Sequence, residues 1–249
     1  MADEMIAVFG DMHGNAVALA AVVEDFKRQE IERLVCVGDA VQGGTQPRQV
    51  VEMLRELDCP VVMGNSDSWI ATDEANEPVA EPTRQVGDWT RKQLGEDGLD
   101  FIRGFPLTVE IQLGGGRRLL AFHGCPSSFD AVLLPELTDE EFREVLGDPP
   151  APYLAGGHTH IQYTREVGGS IFLNPGSAGV AYNRYFEMED FYIYPIAQYA
   201  VLHVGTESAR IEFRQVPFDV DLLEEGALAS GRPYAENEGR QYRPKVKSP

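Results

Sequence analysis

Seven residues with nitrogen or oxygen lone pairs stand at the ends of short apolar runs: Asp11 and His13, then Asp39, Asn65 and His123, and finally His158 and His160. Four of the five histidines are among them, and only His203, inside the apolar segment 200–204, is not. Singly each residue is a weak indication, because an Asp-x-His arises by chance and a lone strand-end histidine is more often structural. Seven such donors at one sheet edge have few structural uses. Imidazole, carboxylate and amide oxygen together favour borderline divalent ions, with Mn first and Fe, Zn or Ni as alternatives, and the lack of thiolate argues against a structural zinc knot. Two ions about 3.5–4 Å apart need a bridging ligand, and Asp39 has two oxygens to offer. Such a pair makes hydroxide available near neutral pH for in-line attack on phosphorus and neutralises the phosphoryl oxygens.

The elements that must position these donors follow from the apolar pattern. Residues 5–9 form an apolar run that ends in Gly10-Asp11, the signature of a buried strand delivering a carboxylate at its C-terminal end. Asn15 can cap a helix over 16–29, and the pattern repeats with a strand at 34–37, Gly38-Asp39 and a helix from Pro47 to Leu57. Residues 61–63 read as a third strand, leading into Gly64-Asn65. This alternation implies a parallel sheet with a polar residue in the loop after each strand. Residues 68–104 read as mostly helical, 108–113 and 119–122 as strands, Thr138 to Glu141 as a capping box, and 153–155 as a strand ending in Gly156-Gly157-His158. Beyond 164 the pattern is strands with glycine-rich turns.

Composition bounds the function. A chain of 249 residues has room for one large domain, and 40 acidic against 21 basic side chains leave a net charge of −19. That field repels phosphate backbones and anionic lipid, so general nucleic-acid or membrane-surface binding is not expected. Three widely spaced cysteines, an acidic start and no apolar run near 18 residues fit a soluble cytoplasmic protein. The expected organisation is a single domain over 1–229, with a helical insertion or cap at 68–104 and an aromatic insertion at 180–199. A weakly ordered basic tail follows over 230–249, where five basic residues face two acidic ones.

Gly10-Asp11-Met12-His13-Gly14-Asn15, Gly38-Asp39, Gly64-Asn65-Ser66-Asp67, His123-Gly124 and Gly157-His158-Thr159-His160 resemble, in order, the five blocks of the calcineurin-like metallophosphoesterase superfamily. Asn174-Pro-Gly-Ser177 is similar to a further block of its compact bacterial and archaeal phosphodiesterase-like branch. The resemblance implies an α/β fold, a four-layer α-β-β-α sandwich of two mixed sheets flanked by helices. It implies that Asp11, His13 and His160 hold one metal ion, that Asn65, His123 and His158 hold a second, and that Asp39 bridges them. Asp39, Asn65 and His123 are then the catalytic set around a metal-bridging hydroxide. One departure matters: where much of the superfamily has a histidine after the Gly-Asn, this chain has Ser66, which does not titrate near neutral pH and cannot serve as a general acid. The departure favours substrates with a good leaving group.

Substrate contacts are expected from Asn15 (with N-capping as its equal alternative), from Ser66 and from Arg184. Arg184 sits among seven aromatics, Tyr182, Tyr185, Phe186, Phe191, Tyr192, Tyr194 and Tyr199. That stretch is either an extended hairpin packed on the body or at a dimer interface, or a platform that stacks a nucleobase. Ser177 reads as a support or turn residue, Cys125 as a buried inert thiol, and His203 as a core or strand-surface histidine. The expected function is a binuclear metal-dependent phosphoesterase acting on a phosphodiester or phosphoanhydride of a small substrate, first of all a nucleotide and in one specific case a dinucleoside polyphosphate. A small-molecule phosphomonoesterase and a non-catalytic scaffold of the same fold are the alternatives, and a homo-oligomer is compatible with either.

Overall fold

In strand β1 (Glu4–Phe9) the side chains alternate between two apolar surroundings. Ile6 and Val8 are fully buried against Leu119, Ala121, Ala155 and Leu173, whereas Ala7 and Phe9 are buried against Leu19, Val22 and Phe26 of helix α1 (Ala16–Arg28). A strand buried on both faces must lie inside a layered structure, and the computed structural model, which describes residues 4–74, 79–148, 151–183, 192–206 and 208–242, shows how. One mixed sheet has the order β2-β1-β8-β9, with β2 (Arg33–Cys36) parallel to β1 and β8 (Ile196–Val204) and β9 (Ala209–Pro217) antiparallel beyond it. The other has the order β3-β4-β5-β7-β6, from β3 (Thr108–Gln112), β4 (Arg118–Phe122), β5 (Tyr153–Ala155), β6 (Gln162–Val167) and β7 (Ser170–Pro175). Within it β4, β5 and β7 run parallel and the two edge strands antiparallel.

The sheets pack face to face through Ile6, Val8, Val35, Leu119, Ala121, Leu173 and Leu202. Helix α1, with α2 (Pro47–Leu57), α3 (Asn65–Thr72) and α4 (Glu81–Arg103), covers the outer face of the first sheet, where Phe9, Phe26 and Tyr199 meet edge to face at 5.4 and 4.8 Å. Each such side chain contributes about 1.5–3 kcal/mol by leaving water. Helix α5 (Asp139–Leu146), started by the Thr138–Glu141 capping box, covers the second sheet by laying Phe142 and Leu146 on Phe122, Leu154 and Phe172. The result is the expected α-β-β-α sandwich. Among the described residues, no helix is long and apolar enough to cross a membrane.

Two expectations need correction. Residues 61–63 form no strand beyond one parallel bridge between Val61 and Cys36: the Pro60 carbonyl and the Val62 amide bond to Cys36, and the Met63 amide bonds on the other side to the Pro106 carbonyl. The tail also begins later than 230. Helix α6 (Val220–Ser230) is followed by short 3-10 turns at Ala235–Asn237 and Gly239–Tyr242, and Tyr242 is buried, donating its hydroxyl to the Gly179 carbonyl at 2.8 Å. An aromatic ring and a backbone partner hold this segment, which net basic charge alone does not foretell. Residues 243–249 lie outside the described residues.

A buried polar network ties α1 to the first sheet. Asp25 Oδ2 accepts the Tyr199 hydroxyl at 2.7 Å and two Arg214 nitrogens at 2.9 and 3.1 Å, while Oδ1 accepts Arg28 at 2.9 Å. Burial alone raises the Asp25 pKa, but the hydrogen bonds from Tyr199, Arg28 and Arg214 outweigh it and hold the carboxyl below its usual value. Asp25→Asn should therefore cost about 1–3 kcal/mol near neutral pH. A carboxylate with a depressed folded pKa stabilises above its unfolded pKa, and the contribution fades as pH falls through the lower folded value. The difference in melting temperature between wild type and variant should accordingly narrow from pH 7 to about pH 3; an unchanged gap would count against the network.

Candidate metal centre

Every expected donor sits just past a strand or at the start of a helix, all on one side of the sandwich. Asp11 and His13 follow β1, Asp39 follows β2, Asn65 opens α3, His123 follows β4, and His158 and His160 follow β5. In each sheet the delivering strands are parallel neighbours, so their C-terminal ends coincide. Five of the seven donors, Asp11, His13, Asp39, His158 and His160, have left-handed backbones with φ between 48° and 69°. Such a conformation is uncommon outside glycine, and its concentration here aims the side chains into one space.

Two groups of three converge. Asp11, His13 and His160 form one and Asp39, His123 and His158 the other, each with its ligand atoms within 4.8 Å of one another. Asp39 lies between them: its Oδ2 is 3.6 Å from His13 Nε2 and 3.4 Å from His123 Nε2. Asn65 Oδ1 joins the second group, 3.1 Å from His123 Nε2 and 3.0 Å from His158 Nδ1. The His158 amide donates to both Asp11 oxygens at 3.3 Å, tying the loop of one sheet to that of the other.

The donor set fits cations. The Nδ1 atoms of His13, His123 and His160 donate to the carbonyls of Gln42, Val37 and Val180 at 2.8, 2.6 and 2.7 Å. Those contacts fix the tautomer and leave each Nε2 a lone-pair donor, the arrangement that orients histidine ligands. His13 Nε2 then faces His160 Nε2 at 3.1 Å, and His123 Nε2 faces an amide oxygen, so acceptors meet acceptors. Only a proton or a cation between them relieves that arrangement. Electrostatics agree. Burial opposes an imidazolium at His123, but Asp39 and behind it Asp11 outweigh it and push its pKa up to about 10. Burial likewise opposes the Asp39 carboxylate, yet His123 and His13 hold it well below its usual range. Burial, helped by neighbouring histidines, depresses His13 and takes His158 down to about 4.

The centre opens into a cleft of about 720 Å³ lined by His13, Asp39, Asn65, Ser66, His158 and His160. Pro82, Thr83 and Val86 of α4 line it too, as do Tyr182 and residues between Arg232 and Gln241. Ser66 Oγ is buried with no hydrogen-bond partner among the described residues, while its amide donates to Asp39 Oδ1 at 3.0 Å. Asp67 steadies the Asp39 loop by accepting the Ala40 amide at 2.9 Å, and burial with Asp39 nearby pushes its pKa up to about 7. Asn15 is not placed to meet a substrate: it is 1% exposed, its Oδ1 caps α1 at the Ala18 amide, and its amide nitrogen is taken by the Gly179 carbonyl and Tyr242. The capping alternative accounts for it. Arg184, with Tyr185, Phe186 and Phe191, lies outside the described residues.

The rest of the aromatic stretch divides. Tyr182 stacks on His160 with centroids 4.3 Å apart and planes at 21°, Tyr192 is half exposed, and Tyr199 belongs to the core network with Asp25. Ser177 donates to the Asp11 carbonyl at 2.6 Å and accepts the Val180 amide, so it supports the first loop. Cys125 is buried, and His203 pairs with Glu212 at 3.1 Å on β8, away from the centre. Asn174, which sequence analysis noted only within a block, braces the last ligand loop: its amide donates to the Gly157 carbonyl at 2.7 Å and to Thr159 Oγ1 at 3.0 Å. Asn174→Ala should lower metal affinity by roughly 10–100-fold with the fold retained, as equilibrium dialysis and circular dichroism would show.

Comparison with known proteins places these observations. A family model described as the calcineurin-like phosphoesterase superfamily domain matches residues 5–191. An uncharacterized protein of Methanocaldococcus jannaschii is 31% identical over 178 residues, which cover 71% of this chain and 70% of that protein. The crystal structure of a hypothetical protein from Pyrococcus horikoshii has a TM-score of 0.76 at 21% identity, covering 94% of this chain and 96% of its own. That of a metallophosphoesterase from Sphaerobacter thermophilus has a TM-score of 0.71 at 21% identity, covering 96% and 99%. At that identity the two structures speak for the fold alone.

Proposed function

Because the chain belongs to the calcineurin-like phosphoesterase superfamily, we propose that it is a binuclear metal-dependent hydrolase of a phosphodiester or phosphoanhydride in a small substrate, a nucleotide first of all. The observation that carries this reading is the position of Asp39 between two complete donor groups. Asp11, His13 and His160 would hold one divalent ion, Asn65, His123 and His158 the other, and Asp39 both. Ions bound there supply acidification of water toward neutrality and neutralisation of phosphoryl oxygens.

The chain's own residues do the rest. The carbonyls of Gln42, Val37 and Val180 hold the Nδ1 atoms of three imidazoles and aim their Nε2 atoms into the centre. The α3 amide of Ser66 holds Asp39, and Ser66 Oγ, buried at the cleft wall with no hydrogen-bond partner among the described residues, can donate to a phosphoryl oxygen. Serine at this position does not protonate a departing alkoxide, so good leaving groups such as aryl, nucleotide or pyrophosphate-type esters suit the site better than alkyl monoesters.

The test is metal analysis together with turnover of a generic aryl phosphodiester in Mn²⁺ buffer. Two ions per chain and turnover abolished by a chelator are expected, whereas a protein that binds no metal and stays inert with added Mn²⁺ would be a scaffold. The net charge of −19 adds a second expectation. Its field slows capture of polyanionic substrates, so their kcat/KM should rise with ionic strength. A fall over the same salt range would contradict it.

A further inference from the structure

Among the described residues lining the cleft, Arg232 is the one lysine or arginine. It belongs to the segment after α6 that forms part of the cleft wall together with Tyr234, Asn237, Glu238 and Gln241. Its side chain is 8% exposed and is paired through Nη2 with Glu238, whose side chain is 5% exposed. Its Nε is buried with no hydrogen-bond partner among the described residues. A guanidinium offers its N–H groups as a planar fork, and leaving one buried and unmet is costly unless a ligand meets it. The segment is firmly placed: Tyr242 is anchored on Gly179, and the Tyr234 hydroxyl donates to Gln85 of α4 at 3.1 Å. The cleft therefore has a second feature besides the metal centre, a buried cation half-satisfied by one carboxylate.

We propose that Arg232 is an anion-receiving residue of the cleft, binding a phosphate of the substrate beyond the one that reacts, with Glu238 holding the guanidinium in place until that group arrives. This rests on the phosphoesterase reading and narrows it to substrates carrying at least two anionic groups, such as nucleoside polyphosphates. Glu238 occupies part of the fork and repels an incoming anion, so it acts as an internal competitor. Burial raises the Glu238 pKa and Arg232 opposes that shift.

The roles separate by experiment. Mn²⁺-loaded protein is titrated calorimetrically with inorganic phosphate, pyrophosphate and tripolyphosphate, using wild type, Arg232→Gln, Arg232→Lys and Glu238→Gln, with melting temperatures recorded for each. Arg232→Gln should weaken the longer anions by about tenfold or more and leave phosphate within about twofold, since a charge-assisted hydrogen bond is worth that much. Arg232→Lys should recover part of the loss, and Glu238→Gln should tighten the same longer anions. If Arg232 and Glu238 merely staple the segment, both glutamine variants lower the melting temperature and weaken all three anions alike. That result overturns the proposal, as does a wild type that binds the longer anions no better than phosphate. The titration needs no turnover, so a protein that hydrolyses nothing while showing the Arg232 dependence would defeat the hydrolase reading and leave this site standing.

Discussion

Asp39→Ala should reduce phosphodiester turnover by about 10³-fold or more, a loss of about 4 kcal/mol of transition-state stabilisation. Most ligands serve one donor group; Asp39 serves both. Its Oδ2 lies within 3.6 Å of a histidine from each group, and its Oδ1 is held by the Ser66 amide. Truncation removes one donor from each proposed ion and leaves the first turn of α3 without its acceptor. Metal content should fall with activity, toward one ion or none per chain, while the far-ultraviolet circular dichroism persists because Asp39 belongs to none of the hydrophobic clusters. Turnover within tenfold of wild type would remove the shared carboxylate from the mechanism.

Gly64→Ala is the second large effect, and it arises from a residue that binds nothing. A Cβ at Gly64 would overlap both Asp39 Oδ1 and the Asp39 backbone nitrogen. The side chain could rotate away only by abandoning its place between the two groups. The backbone has less freedom, since the Asp39 carbonyl accepts the His13 amide at 3.0 Å. Overpacking of this kind costs about 1–3 kcal/mol, or on the order of 3–10 °C in melting temperature for a chain of this size. Displacing a ligand's support should cost roughly 10–100-fold in metal affinity or turnover as well. Calorimetry and a metal titration on one preparation would report both. A variant that melts like wild type and loads metal normally would show that the loop yields more easily than its contacts imply.

These two residues show why the site could be read from the chain. A donor that follows a buried strand must emerge at the strand's end, and a glycine beside it marks where backbone approaches backbone. Gly38-Asp39 and Gly64-Asn65 carry both pieces of information in two letters each. The layer order came with the resemblance to the superfamily, although the unbroken apolar run of residues 5–9 already demands apolar cover on both faces of its strand. The segment after α6 was not legible. It has no apolar period, its 3-10 turns are held by single contacts such as Tyr242 to Gly179, and net basic charge reads as solvated tail when its one cleft-facing arginine is paired out of sight. Asn15 was ambiguous because a cap and a phosphate contact both want a side-chain oxygen at a helix start. Only the partners of its amide nitrogen decide between them. Residues 61–63 have the β-branched composition of a strand, and nothing local announces that their pairing with β2 stops after a single bridge.

The left-handed backbones of Asp11, His13, Asp39, His158 and His160 carry a consequence for the protein's thermodynamics. Each costs of order 1–3 kcal/mol relative to a relaxed residue, and the unfolded chain relaxes all of them at once. Ions that bind only the folded state shift that balance by mass action, by about 2.7 kcal/mol at a free concentration one hundred times the dissociation constant. With ions bound at the proposed sites, the folded population would be set jointly by the polypeptide and by the divalent ions around it. On the proposed reading, a chain depleted of metal would lose durability along with its chemistry, and the supply of ions would govern how long the protein lasts as well as how fast it works.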